Sequence, residues 1–126
     1  MKQGIKTIQN LYGELERQRA ARKDLIADTR SISVNSVGNL SMLTVATNDD
    51  KLSYRISEIA HRQIADRLGI PYKYYERMRQ ENPALLDSNI NSWLNTMPEK
   101  RMLRTLDGKL RAFLSDRYRR LDNLEL

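Results

Sequence analysis

The dipeptide Asp107-Gly108 is the feature that most constrains how this chain can fold, because it marks a tight β-hairpin. Both central residues of the favoured two-residue turn need a positive φ, and Asp-Gly is one of the few pairs that adopt it readily. The flanking residues 101–106 and 109–114 place apolar side chains between their charged ones, as strands do. We therefore predict an antiparallel hairpin whose two strands meet at this turn.

The two-residue turn also sets the register of the hairpin, and therefore which side chains share a face. Leu106 pairs with Lys109, which places Arg104 directly opposite Arg111. Like charges in that relation cost a few tenths to ~1 kcal/mol, and an anion bound between them would reverse the sign. Phe113 falls on the same face, where its ring would suit a nucleobase of a single strand. The alternative is that both arginines extend into water, where the cost of their proximity is small.

The positive charge of the chain is concentrated in the same region. The net charge is +6 at neutral pH, from 22 basic and 16 acidic residues. Residues 100–120 contain eight of the bases and two of the acids, so this segment carries +6 and the remainder is balanced. A neutral body with one cationic segment is what a polyanion-binding surface requires. The other interpretation is a hairpin whose charges are merely solvated.

The rest of the chain predicts an α+β fold. Apolar residues at helical spacing predict a helix over residues 7–23. Alternation on either side of Gly38-Asn39 predicts a first hairpin over residues 32–45. The predicted order is an N-terminal helix, a β-hairpin, a three-helix segment with a helix-turn-helix-like corner, and then the second β-hairpin. We expect a single domain over residues 1–126.

Capping residues and prolines delimit the three predicted helices. The first begins at Ser57 and ends at Gly69, the second follows Pro71, and the third lies between Asn82-Pro83 and Pro98. Each segment also carries an apolar row at helical spacing. We therefore expect the three helices to pack on the strands.

The corner between the first two of these helices has features of a DNA-reading motif. Gly69 separates the helices, and the second one offers Lys73, Tyr74 and Arg77 to a major groove. Residues 31–99, however, hold seven bases and eight acids, whereas a protein that reads duplex DNA normally has a basic face there. The charges favour a plain helical corner over a duplex reader.

Few side chains here have the chemistry of catalysis or metal binding. His61 is the only histidine and cysteine is absent, so neither a His-pair nor a thiolate metal site can form within the chain. We expect His61 at a surface or half-buried position of the first predicted helix. Asp107, Asp116 and Asp122 have the chemistry of magnesium ligands, but the turn explains the first and neighbouring arginines suit the others. We predict no catalytic residue, no metal and no cofactor.

Hydropathy predicts a cytoplasmic protein without a membrane partner. No apolar run approaches the ~18–20 residues that cross a bilayer. The first residues are basic but are not followed by the apolar core of a secretory signal. The absence of cysteine also means that no disulfide framework is present.

Residues 102–123, which read MLRTLDGKLRAFLSDRYRRLDN, closely resemble the signature of domain-of-unknown-function family nine-three-two. Similar stretches at residues 61–78 and 89–94 extend the resemblance over about residues 20–126. Members of that family are found on phages, prophages and plasmids, which implies a part in the DNA metabolism of mobile elements. They are about twice as long as this chain, so the resemblance implies an N-terminal fragment. It implies no role for any single residue, because the family has no established activity.

Charge, register and resemblance together predict a non-catalytic protein that binds nucleic acid, with single strands favoured, through the phosphate backbone and stacked bases. The predicted contact residues are Arg101, Arg104, Lys109, Arg111, Phe113, Arg117, Tyr118, Arg119 and Arg120. One alternative is a protein-interaction or assembly module that meets an acidic partner or its own missing C-terminal half. A second alternative is an enzyme of unknown chemistry. A homo-oligomer is compatible with each of these functions.

Overall fold

The computed structural model describes residues 23–117, which form a six-stranded mixed sheet and three α-helices. The strands are β1 (Lys23–Asp28), β2 (Ile32–Val37), β3 (Leu40–Ala46), β4 (Lys51–Ile56), β5 (Lys100–Leu106) and β6 (Lys109–Ser115). The helices are α1 (Glu58–Leu68), α2 (Tyr72–Glu81) and α3 (Pro83–Thr96), and all three lie between β4 and β5 in the chain. None of the helices within residues 23–117 is long and apolar enough to cross a bilayer.

The sheet joins two antiparallel units through one short parallel contact. Its strand order is β1-β5-β6-β4-β3-β2, and every neighbouring pair is antiparallel except β4 and β6. In that parallel contact Arg55 pairs with Lys109 and Ile56 pairs with Leu110. The contact therefore lies where β4 ends, one residue before the chain turns into α1.

The core lies between one face of the sheet and the apolar rows of the helices. The sheet contributes side chains that are register partners, such as Val34 with Leu43 and Leu103 with Phe113. The helices contribute Ala60, Ile64 and Ala65 from α1, Tyr75 from α2, and Leu86, Ile90 and Leu94 from α3. Burial of this apolar surface is the main stabilising contribution to the fold.

Local signals at the helix ends are confirmed. The Ser57 side chain accepts a hydrogen bond from the Ala60 N–H, and Gly69 closes α1 in the left-handed conformation at φ 71°. The Asn82 side chain caps α3 in the same way, with proline at the first helical position. These caps satisfy backbone groups that a helix cannot pair internally, which is why their residue types mark the boundaries.

Two side chains of α3 cover the free edge of β2. The Asn91 amide accepts a hydrogen bond from the Val34 N–H at 2.7 Å and donates one to the Val34 carbonyl at 2.9 Å. The Asp87 carboxylate accepts bonds from the N–H and the hydroxyl of Ser36. The helix thus takes the place of a further strand and protects an edge that would otherwise invite pairing with another chain.

The predicted order of elements is wrong, although the α+β class and the three helices agree with the structure. Within residues 23–117, four strands precede the helices, and the two predicted hairpins belong to one sheet. The predicted N-terminal helix lies outside the described residues except for Lys23, which begins β1. The short apolar run 25–27 of β1 pairs with β5 more than 70 residues later, and a pairing of that range leaves no local pattern.

The predicted register of the second hairpin is also wrong beyond its first two pairs. The turn at Asp107-Gly108 has positive φ at both residues, as expected. After the Thr105–Leu110 pair, however, Arg104 pairs with Ala112, because Arg111 is an extra residue that forms a β-bulge. The bulge brings Leu110 and Phe113 to the core face, which buries a phenyl ring instead of the Ala112 methyl group.

Candidate anion-binding site

A polar cavity of about 230 Å³ lies where the parallel strands β4 and β6 meet the start of α1. The turn between β2 and β3, the start of β3 and one residue of α2 complete its wall. We refer to it as the α1 cavity. Its lining residues are Asn39, Leu40, Ser41, Arg55, Ile56, Ser57, Glu58, His61, Arg79, Lys109 and Arg111.

Three exposed cations stand at this cavity without a counter-charge from the described part of the chain. Arg55, Lys109 and Arg111 form no ion pair with any other residue in the described range 23–117. Arg55 and Lys109 are register partners on neighbouring strands, so their side chains leave the sheet on the same face. Their mutual repulsion is a cost that a bound anion would remove.

A fourth cation, Arg79 of α2, is held in place by carboxylates. It forms ion pairs with Glu58 and with Glu76, the second at 2.9 Å, and the Tyr72 hydroxyl donates its hydrogen bond to Glu76 and lies 3.3 Å from a carboxylate oxygen of Glu58. The hydrogen bond from Arg79 lowers the pKa of Glu58 to about 2. Glu58 is therefore ionised at neutral pH, and the part of the cavity wall formed by residues 23–117 carries four positive charges against one negative charge.

His61 is buried, with 1% of its surface exposed, and it forms part of the cavity wall. Its Nδ1 shares a hydrogen bond of 2.6 Å with the Tyr75 hydroxyl, and its Nε2 has no partner in the part of the chain that the structure describes. Burial lowers the pKa of His61 to about 4, and Arg79 adds to that effect while Glu58 and Glu76 oppose it. The imidazole is therefore neutral at physiological pH.

This burial corrects the expectation of a surface or half-buried histidine. His61 precedes Ile64 and Ala65 by three and four residues, so it belongs to the same buried row of α1. That spacing was the available signal. Burying a charged, unpaired histidine in this row would be costly. The neutral ring can be buried there because the Tyr75 hydroxyl forms a hydrogen bond with one of its nitrogens.

The start of α1 is fixed to the β5–β6 hairpin by backbone contacts. The Ser57 N–H donates to the Leu110 carbonyl at 3.1 Å, and the Arg55 N–H donates to the Gly108 carbonyl at 3.0 Å. The Ser57 hydroxyl approaches the Arg111 carbonyl at 3.5 Å. These bonds hold the positive end of the helix dipole beside the cations of β6.

Among the predicted contact residues, the structure brings together Lys109 and Arg111. Both line the α1 cavity and both are exposed. Arg117 is exposed two residues after the end of β6. Tyr118, Arg119 and Arg120 lie outside the described residues.

Arg101 and Phe113, by contrast, belong to the interior. The Arg101 guanidinium lies 4.6 Å from the centroid of the Phe113 ring and forms an ion pair with Glu99 at 3.3 Å. Arg101 is 9% exposed and Phe113 is 1% exposed. Burial also lowers the pKa of Arg101. The predicted stacking of a nucleobase on Phe113 is therefore wrong, because the ring already has a buried partner on its face.

Arg104 faces a partner on the neighbouring strand rather than Arg111. Its Nε donates to the Asp24 carboxylate of β1 at 3.0 Å, and the pair is only partly exposed. The β-bulge removes the predicted opposition of the two arginines. Arg104 and Arg111 therefore do not form the predicted facing pair, and the α1 cavity lies beside β4, the other strand neighbour of β6.

The cavity residues Arg55, Arg79 and His61 were not among the predicted contact residues. Arg55 had one usable signal, since it is the penultimate residue of a strand that leads directly into a capped helix start, where phosphates often bind. Arg79 had none, because its position depends on how α2 packs against α1. In residues 23–117 no cluster of three or more His, Asp or Glu side chains is arranged to hold a metal ion.

Comparisons with known proteins do not extend this picture. A scan against protein-family models, a search of curated proteins and a search of solved structures each returned no significant match. The resemblance to domain-of-unknown-function family nine-three-two therefore stays a prediction.

Proposed function

We propose that this protein binds single-stranded nucleic acid through phosphate groups that enter the α1 cavity. The observation that carries the proposal is the convergence of Arg55, Arg79, Lys109 and Arg111 on one cavity, with three of them lacking a counter-charge in residues 23–117. These residues come from three elements of the fold. A basic hairpin that is merely solvated would not explain why cations from these three elements meet at one cavity.

The donors at the cavity suit phosphate oxygens. Arginine presents two parallel N–H groups to a phosphate, and lysine adds a compact positive charge. The start of α1 directs backbone N–H groups and the positive end of its dipole to the same place. The neutral His61 ring adds a hydrogen-bonding nitrogen without adding charge.

The concave shape favours a single strand over a duplex. Duplex DNA is stiff, with a persistence length of about 150 base pairs, and presents its phosphates on a convex surface. A single strand bends more easily, so one of its phosphates can enter a recess. Base stacking is not part of the proposal, because Phe113 is buried.

Fluorescence anisotropy with a single-stranded oligonucleotide of about 16 nucleotides tests the proposal across a salt series. Lys109→Ala and Arg111→Ala should each weaken binding by about three- to tenfold and reduce the salt slope by about 0.7–1 per lost phosphate contact. Lys51→Ala is the matched control for the lysine, since Lys51 is exposed at the opposite end of β4 from Arg55. Arg104→Ala is the control for the arginine.

Two outcomes would contradict the proposal. One is binding that does not depend on salt, and the other is equal weakening by the control variants. A preference for duplex DNA that is lost on Lys73→Ala would instead support α2 as a helix that binds in the major groove. Displacement of the oligonucleotide by polyglutamate at equal charge concentration would support the alternative of an acidic protein partner.

A further inference from the structure

The α1 cavity is a recess that reaches from an exposed rim to the buried layer of the protein. Its rim carries exposed side chains, including Lys109 and Arg111. Its wall also includes Ile56 and His61, which are 5% and 1% exposed. A phosphodiester inside a strand must both enter and leave such a recess. A phosphate at the end of a strand needs only one opening.

The charge of the cavity also exceeds what one phosphodiester neutralises. Among residues 23–117, four basic side chains line it, and the one lining carboxylate, Glu58, is already paired with Arg79. A phosphodiester carries a single negative charge, whereas a phosphate monoester carries about −1.5 to −2 at neutral pH and offers three terminal oxygens. The monoester therefore matches the number of free cations more closely.

Backbone donors at the same place remain available for the additional oxygen. In the first turn of α1, the Ala60 N–H is satisfied by the Ser57 hydroxyl, while the N–H groups of Glu58 and Ile59 have no acceptor among residues 23–117. First-turn N–H groups are the donors that bind anions at helix starts. The His61 Nε2 is likewise without a partner in that range.

Resting on the proposed function, we propose that the α1 cavity receives a terminal phosphate monoester. The protein then prefers nucleic acid strands with a phosphorylated end to strands whose ends are hydroxyl groups. The exposed cations Lys109 and Arg111 at the rim contact the oxygens of this terminal phosphate. The recess and its cations together therefore supply the preference for an end.

The test compares four single strands of one sequence that differ only at their ends, each with an internal fluorophore. The four are a strand with a 5′-phosphate, a strand with a 3′-phosphate, a strand with two hydroxyl ends, and a covalently closed circle. Anisotropy titrations with the full 126-residue chain should show one phosphorylated end bound about tenfold tighter than the hydroxyl ends or the circle. Arg111→Ala should remove most of that difference, and Arg104→Ala should leave it in place.

A competition arm separates the end of a strand from free phosphate. A nucleoside monophosphate should displace the phosphorylated strand, whereas the matching unphosphorylated nucleoside should not. Equal affinity for all four strands would overturn the end preference while leaving the proposed function standing. Failure to bind any of the four at low salt would overturn both proposals. Thermal unfolding of each variant verifies that the substitutions leave the fold intact.

Discussion

The two strands of the β5–β6 hairpin use their positive charges in opposite ways. On β5, Arg101 is buried against Phe113 and paired with Glu99, and Arg104 is paired with Asp24. On β6, Lys109 and Arg111 are exposed at the α1 cavity. In the sequence these residues belong to one basic segment. In the structure, the first pair contributes to the fold and the second pair is available to a ligand.

The β5 and β6 cations differ because the β5 arginines have carboxylate partners and because β6 contains one extra residue, the bulge at Arg111. Each β5 arginine has a carboxylate within reach, and Arg101 must have one because burial penalises its charge. The bulge at Arg111 inserts one extra residue into β6. Arg111 therefore does not follow the alternation of side chains between the two faces of its strand. The density of basic residues alone therefore does not identify a binding surface.

The largest expected effect on stability is at Arg101. Arg101→Ala removes the cation above the Phe113 ring and leaves a cavity in the core, so the free energy of unfolding should fall by about 2–4 kcal/mol. Arg101→Met, which keeps the volume without the charge, should cost clearly less. Chemical denaturation of both variants measures the difference. An alanine variant as stable as the parent would contradict the interior role of Arg101.

His61 should make stability depend on pH between its ordinary pKa of 6.5 and its pKa in the fold of about 4. Because the pKa in the fold is about 4, the unfolded chain binds a proton more readily, and acidification favours unfolding. The free energy of unfolding should fall by about 2–3 kcal/mol over that window. Urea titrations of the wild type and of His61→Gln measure it. Carboxylates remote from His61 titrate alike in both proteins, so an equal pH dependence in the variant would refute the assignment.

The ion pair of Arg104 with Asp24 should contribute modestly. Arg104→Ala should lower the free energy of unfolding by about 0.2–1 kcal/mol, since the pair is partly exposed. Its effect on oligonucleotide affinity should be smaller than that of Arg111→Ala. Anisotropy and denaturation on the same samples give both quantities. An affinity loss at Arg104 equal to that at Arg111 would erase the contrast between the two strands.

Arg111→Ala should have the smallest effect on stability. The side chain is exposed and has no ion pair in the described part of the chain, so the free energy of unfolding should change by less than about 0.5 kcal/mol. The same substitution should weaken phosphate binding. Differential scanning fluorimetry with and without oligonucleotide measures both effects. A large destabilisation without ligand would show that Arg111 serves the fold.

Local features of the sequence were sufficient to predict the helices and the turn. Ser57, Gly69 and Asn82 end or begin helices because their side chains or backbone conformations satisfy unpaired groups. The Asp107-Gly108 turn follows from the positive φ that both residues adopt. In each case the determining interactions span a few residues, which is the range that a sequence pattern records.

The features that the sequence did not predict all depend on contacts between segments that are distant in the chain. The pairing of β1 with β5 and the parallel contact of β4 with β6 determine the sheet, and neither has a local signature. Lys109 and Arg111 could be identified as candidate contact residues from charge. Arg55 and Arg79 could not be assigned to the same cavity, because the fold places them there from β4 and α2.

Nuclear magnetic resonance mapping of the ligand contact tests the central claim most directly. Backbone ¹H–¹⁵N spectra of the labelled chain are recorded during titration with a single-stranded oligonucleotide that carries a terminal phosphate. The largest shift changes should fall at the α1 cavity, including the amides of Arg55, Glu58 and Arg111, with little change at Arg101 and Arg104. Changes concentrated on the β5 arginines, or on the exposed side of α2, would contradict the proposed site.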